Sequence, residues 1–269
     1  MEVLIDGDAV AYPCAAVGQH NEYHGYGKVF RYKRDAAEYC KEVGLDIDKF
    51  ECVPIVDEPV ENCLNSAKTM MNRILSATNA DSYRVFLGGK RNYRKDLYPQ
   101  YKAHRQPVPP FHLEDMRTYL FDAWDAELVD GVEVDDMLGI CQTEYMAEDV
   151  ECCIATSDKD LDMIPGWRYH TKRDELYWID ENAATYAFYK QLLTGDRTDN
   201  IPGLMGVGEK TAERILKDKL TAYDMYEACL AKYRSVHPHD YLDQLTLNAN
   251  LLWIQREPGV LWQTPDAGE

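Results

Sequence analysis

Four stretches of this chain bring carboxylates to the ends of apolar runs. Val3-Leu4-Ile5 leads into Asp6 and Asp8, and Glu127-Leu128-Val129 leads into Glu133, Asp135 and Asp136. Val150 to Thr156 leads into Asp158 and Asp160, and a helical pattern ending at Leu193 leads into Asp196 and Asp199. Crowded carboxylates repel one another and hold protons or draw in water. Divalent cations resolve that crowding. Oxygen-only donors with no Cys or His beside them select Mg²⁺ or Mn²⁺. Two such ions about 4 Å apart activate a water and stabilise the leaving oxygen of a phosphodiester. Plainer readings stand beside this one. Asp6 and Asp8 also suit a turn with a helix cap, and the Glu133 group suits a helix N-terminus, where the dipole favours acids.

A second set of residues is cationic. Lys90, Arg91, Arg94, Lys95, Lys102 and Arg105 fall within one segment against a single acid, Asp96, with Tyr93, Tyr98 and Tyr101 interleaved. Cations bind phosphates and Tyr rings stack on bases, so Lys90, Arg91 and Tyr101 are candidate DNA contacts. The alternative is a solvated face. A third set follows the last acids. Leu204-Met205-Gly206-Val207-Gly208 precedes Lys210, Thr211, Ala212, Arg214 and Ile215. Glycines at 206 and 208 allow a tight hairpin with open backbone amides. Those amides sit at a helix start, where a phosphate is favoured. The alternative is a buried helical hairpin that binds nothing.

The elements that must position these groups follow from periodicity. Short apolar runs at Val3–Ile5, Tyr83–Leu87, Glu127–Val129 and Val150–Thr156 predict buried strands, and 167–170 and 176–179 add shorter ones. Helices are expected at 9–17, 34–43, 57–79, 112–123, 137–147, 183–193, 209–220, 221–233 and 241–254, with Pro13 tolerable only in a first turn. Residues 20–32 suggest a hairpin, His20 and His24 a surface loop, and 261–269 a tail. Strand–helix alternation predicts an α/β fold with a mostly parallel central sheet and helices on both faces, acids converging on the rim of strand ends.

Composition bounds the function. The chain has 269 residues, 45% of them apolar, and a formal charge of −18. That charge argues against a general polyanion-coating protein but leaves room for local basic patches. The eight cysteines form no C-x-x-C pair, which suits a reducing cytoplasm. Glu2 and Asp6 argue against a signal peptide, and no apolar run is long enough to span a bilayer.

Five blocks resemble the structure-specific 5′-nucleases, which include flap endonucleases and the bacteriophage 5′→3′ exonucleases also called RNase H. They are LIDGD at 4–8, YRKDLYPQYKAHR at 93–105, GVEVDDMLG at 131–139, TSDKDLDMI at 156–164 and LTGDRTDNIPGLMGVGEKTAERIL at 193–216. The resemblance implies a PIN-like 5′-nuclease domain over 1–180 with an arch about 90–110. A helical region over 181–260 would carry a helix–three-turn–helix, or helix–hairpin–helix. By the same resemblance Asp6, Glu133 and Asp135 would lie at one metal and Asp160, Asp196 and Asp199 at the other. Asp136 and Asp158 would lie in or between them. Arg94, Lys102 and Arg105 match residues that contact the scissile phosphate. Gly206, Gly208, Lys210, Thr211 and Arg214 fall where the family grips duplex DNA, often with a bound K⁺. The implied activity is two-metal 5′→3′ exonuclease or flap endonuclease cleavage of DNA, with RNA–DNA hybrids as further substrates, by a monomer in phage-type replication or primer removal.

The chain departs from the family at one place. Many members carry an Asp after the second strand, where this chain reads Phe86-Leu87-Gly88-Gly89. Asp8 stands where many members are uncharged and could compensate. The departure supports a competing reading, a non-catalytic DNA-binding module that kept the fold. A third reading is a metal-dependent phosphatase or RNase of related fold, which the hairpin argues against.

Overall fold

A computed structural model describes residues 1–104 and 108–267. In chain order the elements are β1 Glu2–Asp6, α1 Gly7–Ala16, β2 Gln19–Gly25, β3 Lys28–Phe30, α2 Lys33–Val43, β4 Glu51–Val56, α3 Val60–Ala77, β5 Ser82–Asn92, α4 Tyr93–Leu97 and α5 Leu113–Trp124. They continue with β6 Glu127–Gly131, α6 Val134–Ala147, β7 Cys152–Thr156, β8 Gly166–His170, β9 Glu175–Ile179, α7 Glu181–Thr194, β10 Gly195–Asp196, β11 Ile201–Pro202, α8 Glu209–Leu216, α9 Ala222–Val236 and α10 Tyr241–Leu252. A 3₁₀ turn, Lys159–Met163, sits between β7 and β8.

The chain divides into two compact units. One comprises Met1–Asp6, Ile74–Gln106 and Glu127–Glu269; the other comprises Gly7–Arg73 and Pro107–Ala126. The first holds a six-stranded sheet in the order β6-β5-β1-β7-β8-β9, parallel except for the edge strand β9. The apolar runs form its middle because a strand buried on both faces must be apolar throughout. Val3, Leu4, Ile5, Val85, Phe86, Cys153, Ile154 and Ala155 are all fully buried. On one face Leu4, Phe86, Val129 and Ile154 pack with Val134, Leu138 and Cys141 of α6.

The same unit contains a second core, made by Phe188, Tyr189, Leu192, Leu193, Leu204, Val207, Ala212, Leu216, Cys229, Tyr233, Leu245 and Ala249 from α7 to α10. The two hydrophobic clusters both cross the expected boundary near residue 180, and Ile254 packs with the sheet. Tyr101 and Met163 belong to the helical cluster as well. The expected tail is partly core: the Trp262 ring lies 6.5 Å from that of Phe188 and 5.9 Å from that of Tyr226. α8 stops at Leu216, short of the expected Leu220, because Lys217 leaves helical dihedrals and Asp218 has φ 62.

The second unit holds an antiparallel sheet, β3-β2-β4. Tyr26 and Gly27 both have positive φ, 51 and 71, as a two-residue hairpin turn of matching twist requires. His20 and His24 lie in β2 rather than in a loop, and the Glu22 carboxylate lies within hydrogen-bond reach of both rings. Pro13 sits inside α1, beyond the first turn expected for it. Asp8 pairs with Arg117 of α5 and so is engaged within this unit.

Candidate active site

The acids converge in the first unit. Asp6 ends β1, whose parallel register with β7 runs Ile5 opposite Ala155. One residue further, Thr156 Oγ1 donates to Asp6 Oδ2 at 2.9 Å. The same hydroxyl accepts from Asp158 N at 3.1 Å, and Asp158 Oδ1 accepts from Asp160 N at 2.9 Å. Parallel strand ends and this short relay gather Asp6, Asp158 and Asp160. Asp196 joins them through Gln191, whose Nε2 donates to Asp160 Oδ1 at 3.3 Å and to Asp196 Oδ2 at 3.1 Å. Gly195 and Gly203 let two backbones meet below Asp196, since a Cβ on Gly203 would stand 2.0 Å from Thr194 O.

The charges respond to this crowding. Burial, then Asp158, Asp6 and Glu133, push the Asp135 carboxyl well above the usual range. Burial, then Asp158 and Asp196, push Asp160 up to about 7. Glu133 goes the other way: burial raises it, but Lys102 and Arg94 outweigh burial and hold it below the usual range. Lys102 Nζ lies 2.5 Å from Glu133 Oε1 and 3.4 Å from Asp199 Oδ2. The Tyr101 hydroxyl reaches Glu133 Oε2 at 2.7 Å and Asp199 Oδ2 at 2.9 Å. Among the described residues no three His, Cys, Asp or Glu side chains already surround one ion position. Glu133 and Asp199 are drawn to Lys102 and Tyr101 instead, and the remaining acids face each other.

Three candidates occupy places other than those the sequence suggested. Asp136 is fully buried and its oxygens are committed. Arg94 Nη1 and Nη2 donate to Asp136 Oδ2 and Oδ1 at 2.6 and 2.8 Å, and the amides of Glu133 and Gln255 donate to Asp136 as well. With Glu133 as N-cap, Asp136 completes a capping box at the start of α6, the plainer reading of this acid. Asp136 is thus engaged by Arg94 and by two backbone amides. Arg94 is 2% exposed and also donates to Leu251 O and Trp253 O, which removes it from any phosphate. Tyr101 is 2% exposed, so its ring cannot stack on a base; its hydroxyl orients carboxylates.

Arg105 lies outside the described residues. Lys90 and Arg91 are exposed, and Arg91 Nε donates to Asp130 Oδ2 at 2.7 Å. Leu87, at the position of the missing acid, is 2% exposed and pairs with Leu128 in the β5–β6 register. Gly206, Gly208, Lys210 and Arg214 are exposed and Thr211 is half-buried. An open groove of about 750 Å³ is lined by His104, Asp196, Arg197 and Asn200 at one part and by Met205, Gly206 and Gly208 at another. It brings Asp196 and the hairpin into one groove. Thr156 and Gln191 were not legible as site residues. Thr156 is found only once strand register is known, and Gln191 looks like any helical Gln.

Residues 57–173 match the family model of the 5′-3′ exonuclease N-terminal, resolvase-like domain. The chain is similar to thermostable DNA polymerase I of Thermus aquaticus, 33% identical over 181 residues, which are 60% of this chain and 21% of that protein. It is similar to DNA polymerase I of Rhizobium leguminosarum, 30% identical over 148 residues, 50% of this chain and 14% of that protein. The chain thus spans about a fifth of the first of these relatives. Among solved structures it is similar to a mutant of T5 5′-exonuclease, with a TM-score of 0.55 and 14% identity over 93% of this chain and 84% of that one. It is also similar to the bacteriophage T5 flap endonuclease in a pseudo-enzyme-product complex with DNA and metal ions, TM-score 0.56, 15% identity, over 93% of this chain and 85% of that one. At such identity the likeness shows the fold. Over residues 57–173 the chain matches the 5′-3′ exonuclease N-terminal domain, and over 93% of its length it shares the fold of T5 5′-exonuclease.

Proposed function

We propose that this chain is a divalent-metal-dependent 5′→3′ exonuclease or flap endonuclease acting on DNA. One observation carries the reading. Asp6, Asp135, Asp158, Asp160 and Asp196 crowd so closely that Asp135 and Asp160 hold protons far above the usual carboxylate range. A fold does not bury such repulsion without a cation to relieve it. The donor chemistry fits Mg²⁺ or Mn²⁺, since every candidate ligand is a carboxylate. Asp6, Glu133, Asp135 and Asp158 would hold one ion and Asp160, Asp196 and Asp199 the other. Bound ions supply an activated water and charge stabilisation at a phosphodiester. The protein's own groups do the rest. Lys102, released from Glu133 and Asp199 by the ions, would offer its ammonium to the scissile phosphate. Tyr101 keeps its proton and orients Glu133 and Asp199 through its hydroxyl. The groove leads duplex toward the amides of Gly206 and Gly208, with Lys210, Thr211 and Arg214 beside them and K⁺ as a candidate ion there. Lys90 lies on the approach.

In the same reading the chain acts as a monomer in a host cytoplasm, in phage-type replication or primer removal, with RNA–DNA hybrids as additional substrates. No helix among the described residues is long and apolar enough to cross a membrane. Leu87 favours a second reading: a buried Leu replaces a carboxylate beside the first metal position, as in a DNA-binding module that lost catalysis. One experiment separates them. Flap and nicked duplexes labelled at the 5′ or 3′ end are digested with Mg²⁺, Mn²⁺ or EDTA. The nuclease releases 5′-labelled fragments with either metal and none with EDTA. Binding without cleavage under all three conditions would leave the module.

A further inference from the structure

Beneath the turn that carries Asp158 and Asp160 lies a cation that the chemistry above does not use. Arg168, in the middle of β8, is 1% exposed. Its register partners are Ile154 of β7 and Tyr177 of β9. Nε and Nη2 donate to Leu161 O at 3.0 and 2.5 Å, Nη2 also to Ile164 O at 2.6 Å, and Nη1 to Trp167 O at 3.1 Å. Among the described residues it forms no ion pair. A buried guanidinium with no directly paired carboxylate is costly, and burial lowers its pKa to about 10 although the Asp162 charge offsets part of that. A fold that needed only packing would place an apolar side chain there.

The guanidinium obtains the main-chain oxygens of the 161–167 segment and little else. Its fork therefore ties the end of the 3₁₀ turn Lys159–Met163 to the sheet. On the turn's other side are the acids that repel one another, Asp158 and Asp160, with Asp196 opposite. Asp162, the turn's third acid, accepts from the Tyr177 hydroxyl at 2.8 Å and acts on Arg168 through its charge. Arg256 adds one bond from Nη2 to Met163 O at 3.0 Å, but its charge is answered by Glu181. Arg168 sets a buried positive charge behind the acidic turn, with Asp162 as its strongest charge partner but no ion pair among the described residues.

We propose that Arg168 is a positioning residue for the nuclease centre: by fixing the Leu161 and Ile164 carbonyls it holds Asp158 and Asp160 together against their repulsion, ready for a divalent cation. The inference rests on the reading of these acids as metal ligands. It acts through the turn, so its signature is metal affinity in the absence of DNA. Partners that orient metal ligands are worth roughly 10–100-fold in affinity.

The test is calorimetric titration of the DNA-free full chain with Mn²⁺, comparing wild type, Arg168→Lys and Arg168→Met. Arg168→Met should weaken Mn²⁺ binding by roughly 10–100-fold. Arg168→Lys keeps the buried charge but loses the fork, and should fall between. In cleavage assays the half-saturating Mn²⁺ concentration should rise in the same order while kcat at saturating Mn²⁺ is largely kept. A role in packing alone would lower the melting temperature in EDTA and leave Mn²⁺ affinity where it was. A folded Arg168→Met with wild-type Mn²⁺ affinity overturns the proposal, as does failure of both variants to fold, which would assign Arg168 to the core. Absence of Mn²⁺ binding in the wild type would take down the metal reading itself, and this inference with it.

Discussion

Asp160 is the residue whose protonation exposes the site's purpose. Its carboxyl is pushed up to about 7 by burial first, then by Asp158 and Asp196, from an ordinary 3.8. Between about pH 4 and 7 the folded chain therefore binds more protons than the unfolded chain, so metal-free stability falls as pH rises through that window. A cation displaces the proton and reverses the trend. In EDTA the melting temperature should drop by roughly 5 °C from pH 5 to pH 8, and the gain on adding Mn²⁺ should grow over the same range. Asp160→Asn should flatten the EDTA profile; a variant profile parallel to the wild type would put Asp160 outside the cluster. Asp136 predicts a contrasting behaviour. Asp136→Asn leaves the buried Arg94 with only Glu133, 3.3 Å from Nη1, as counter-charge, and breaking a buried pair costs up to about 3–5 kcal/mol. The urea midpoint should fall sharply while the folded protein keeps its Mn²⁺ affinity. An unchanged midpoint with lost Mn²⁺ binding would return Asp136 to the metal.

The elements divide into those the sequence made legible and those it did not. Strands β1 and β7 are short, apolar and followed by acids, and they stand where periodicity predicts them; β5 carries its apolar run Val85-Phe86-Leu87 but no acid after it. Their parallel pairing gathers the acids, which is why the site was readable as a set. What spacing could not decide is which acid faces a cation of the protein. Glu133, Asp135 and Asp136 are nearly adjacent, yet one accepts from Lys102, one faces Asp158 and one is locked to Arg94. Arg94 and Lys102 look equally available in sequence, and only packing from Leu251 and Trp253 buries the first. The hairpin shows the same division. Its tip is exposed, Met205 at 85%, and the two glycines differ in backbone. Gly206 has φ 77, whereas Gly208 is extended with φ −99, and a Cβ on either meets nothing within 4 Å. Gly206→Ala should then cost on the order of 1–2 kcal/mol of strain. Gly208→Ala should melt like the wild type, so any loss of duplex affinity reports contact with DNA rather than damage to the fold. Duplex binding unchanged in Gly208→Ala would show that this amide does not meet the phosphates.

For the whole molecule, a formal charge of −18 must be reconciled with a polyanionic substrate. The composition of the segment from Lys90 to Arg105 suggests the compensating cations, but the structure spends several of them internally. Arg94 is held by Asp136, Arg91 by Asp130, and Lys102 by Glu133. Exposed cations remain at Lys90 and Lys95 and, around the hairpin, at Lys210, Arg214 and Lys217. Electrostatic attraction to duplex should therefore come chiefly from the hairpin side, and attraction to the reacting strand from Lys102 once cations release it. Each phosphate contact contributes about 0.9 to the slope of log K against log salt. Lys210→Ala with Arg214→Ala should flatten that slope by about 1–2 on a duplex and leave a short single strand nearly unaffected. Lys102→Ala in Ca²⁺, which permits binding without cutting, should change the slope by about 1 with that cation and by much less in EDTA, where Glu133 holds the ammonium. A double hairpin variant with the wild-type slope on duplex would move the grip away from residues 204–217. Equal effects of Lys102→Ala with and without the cation would mean that Glu133 never competes with the phosphate for it.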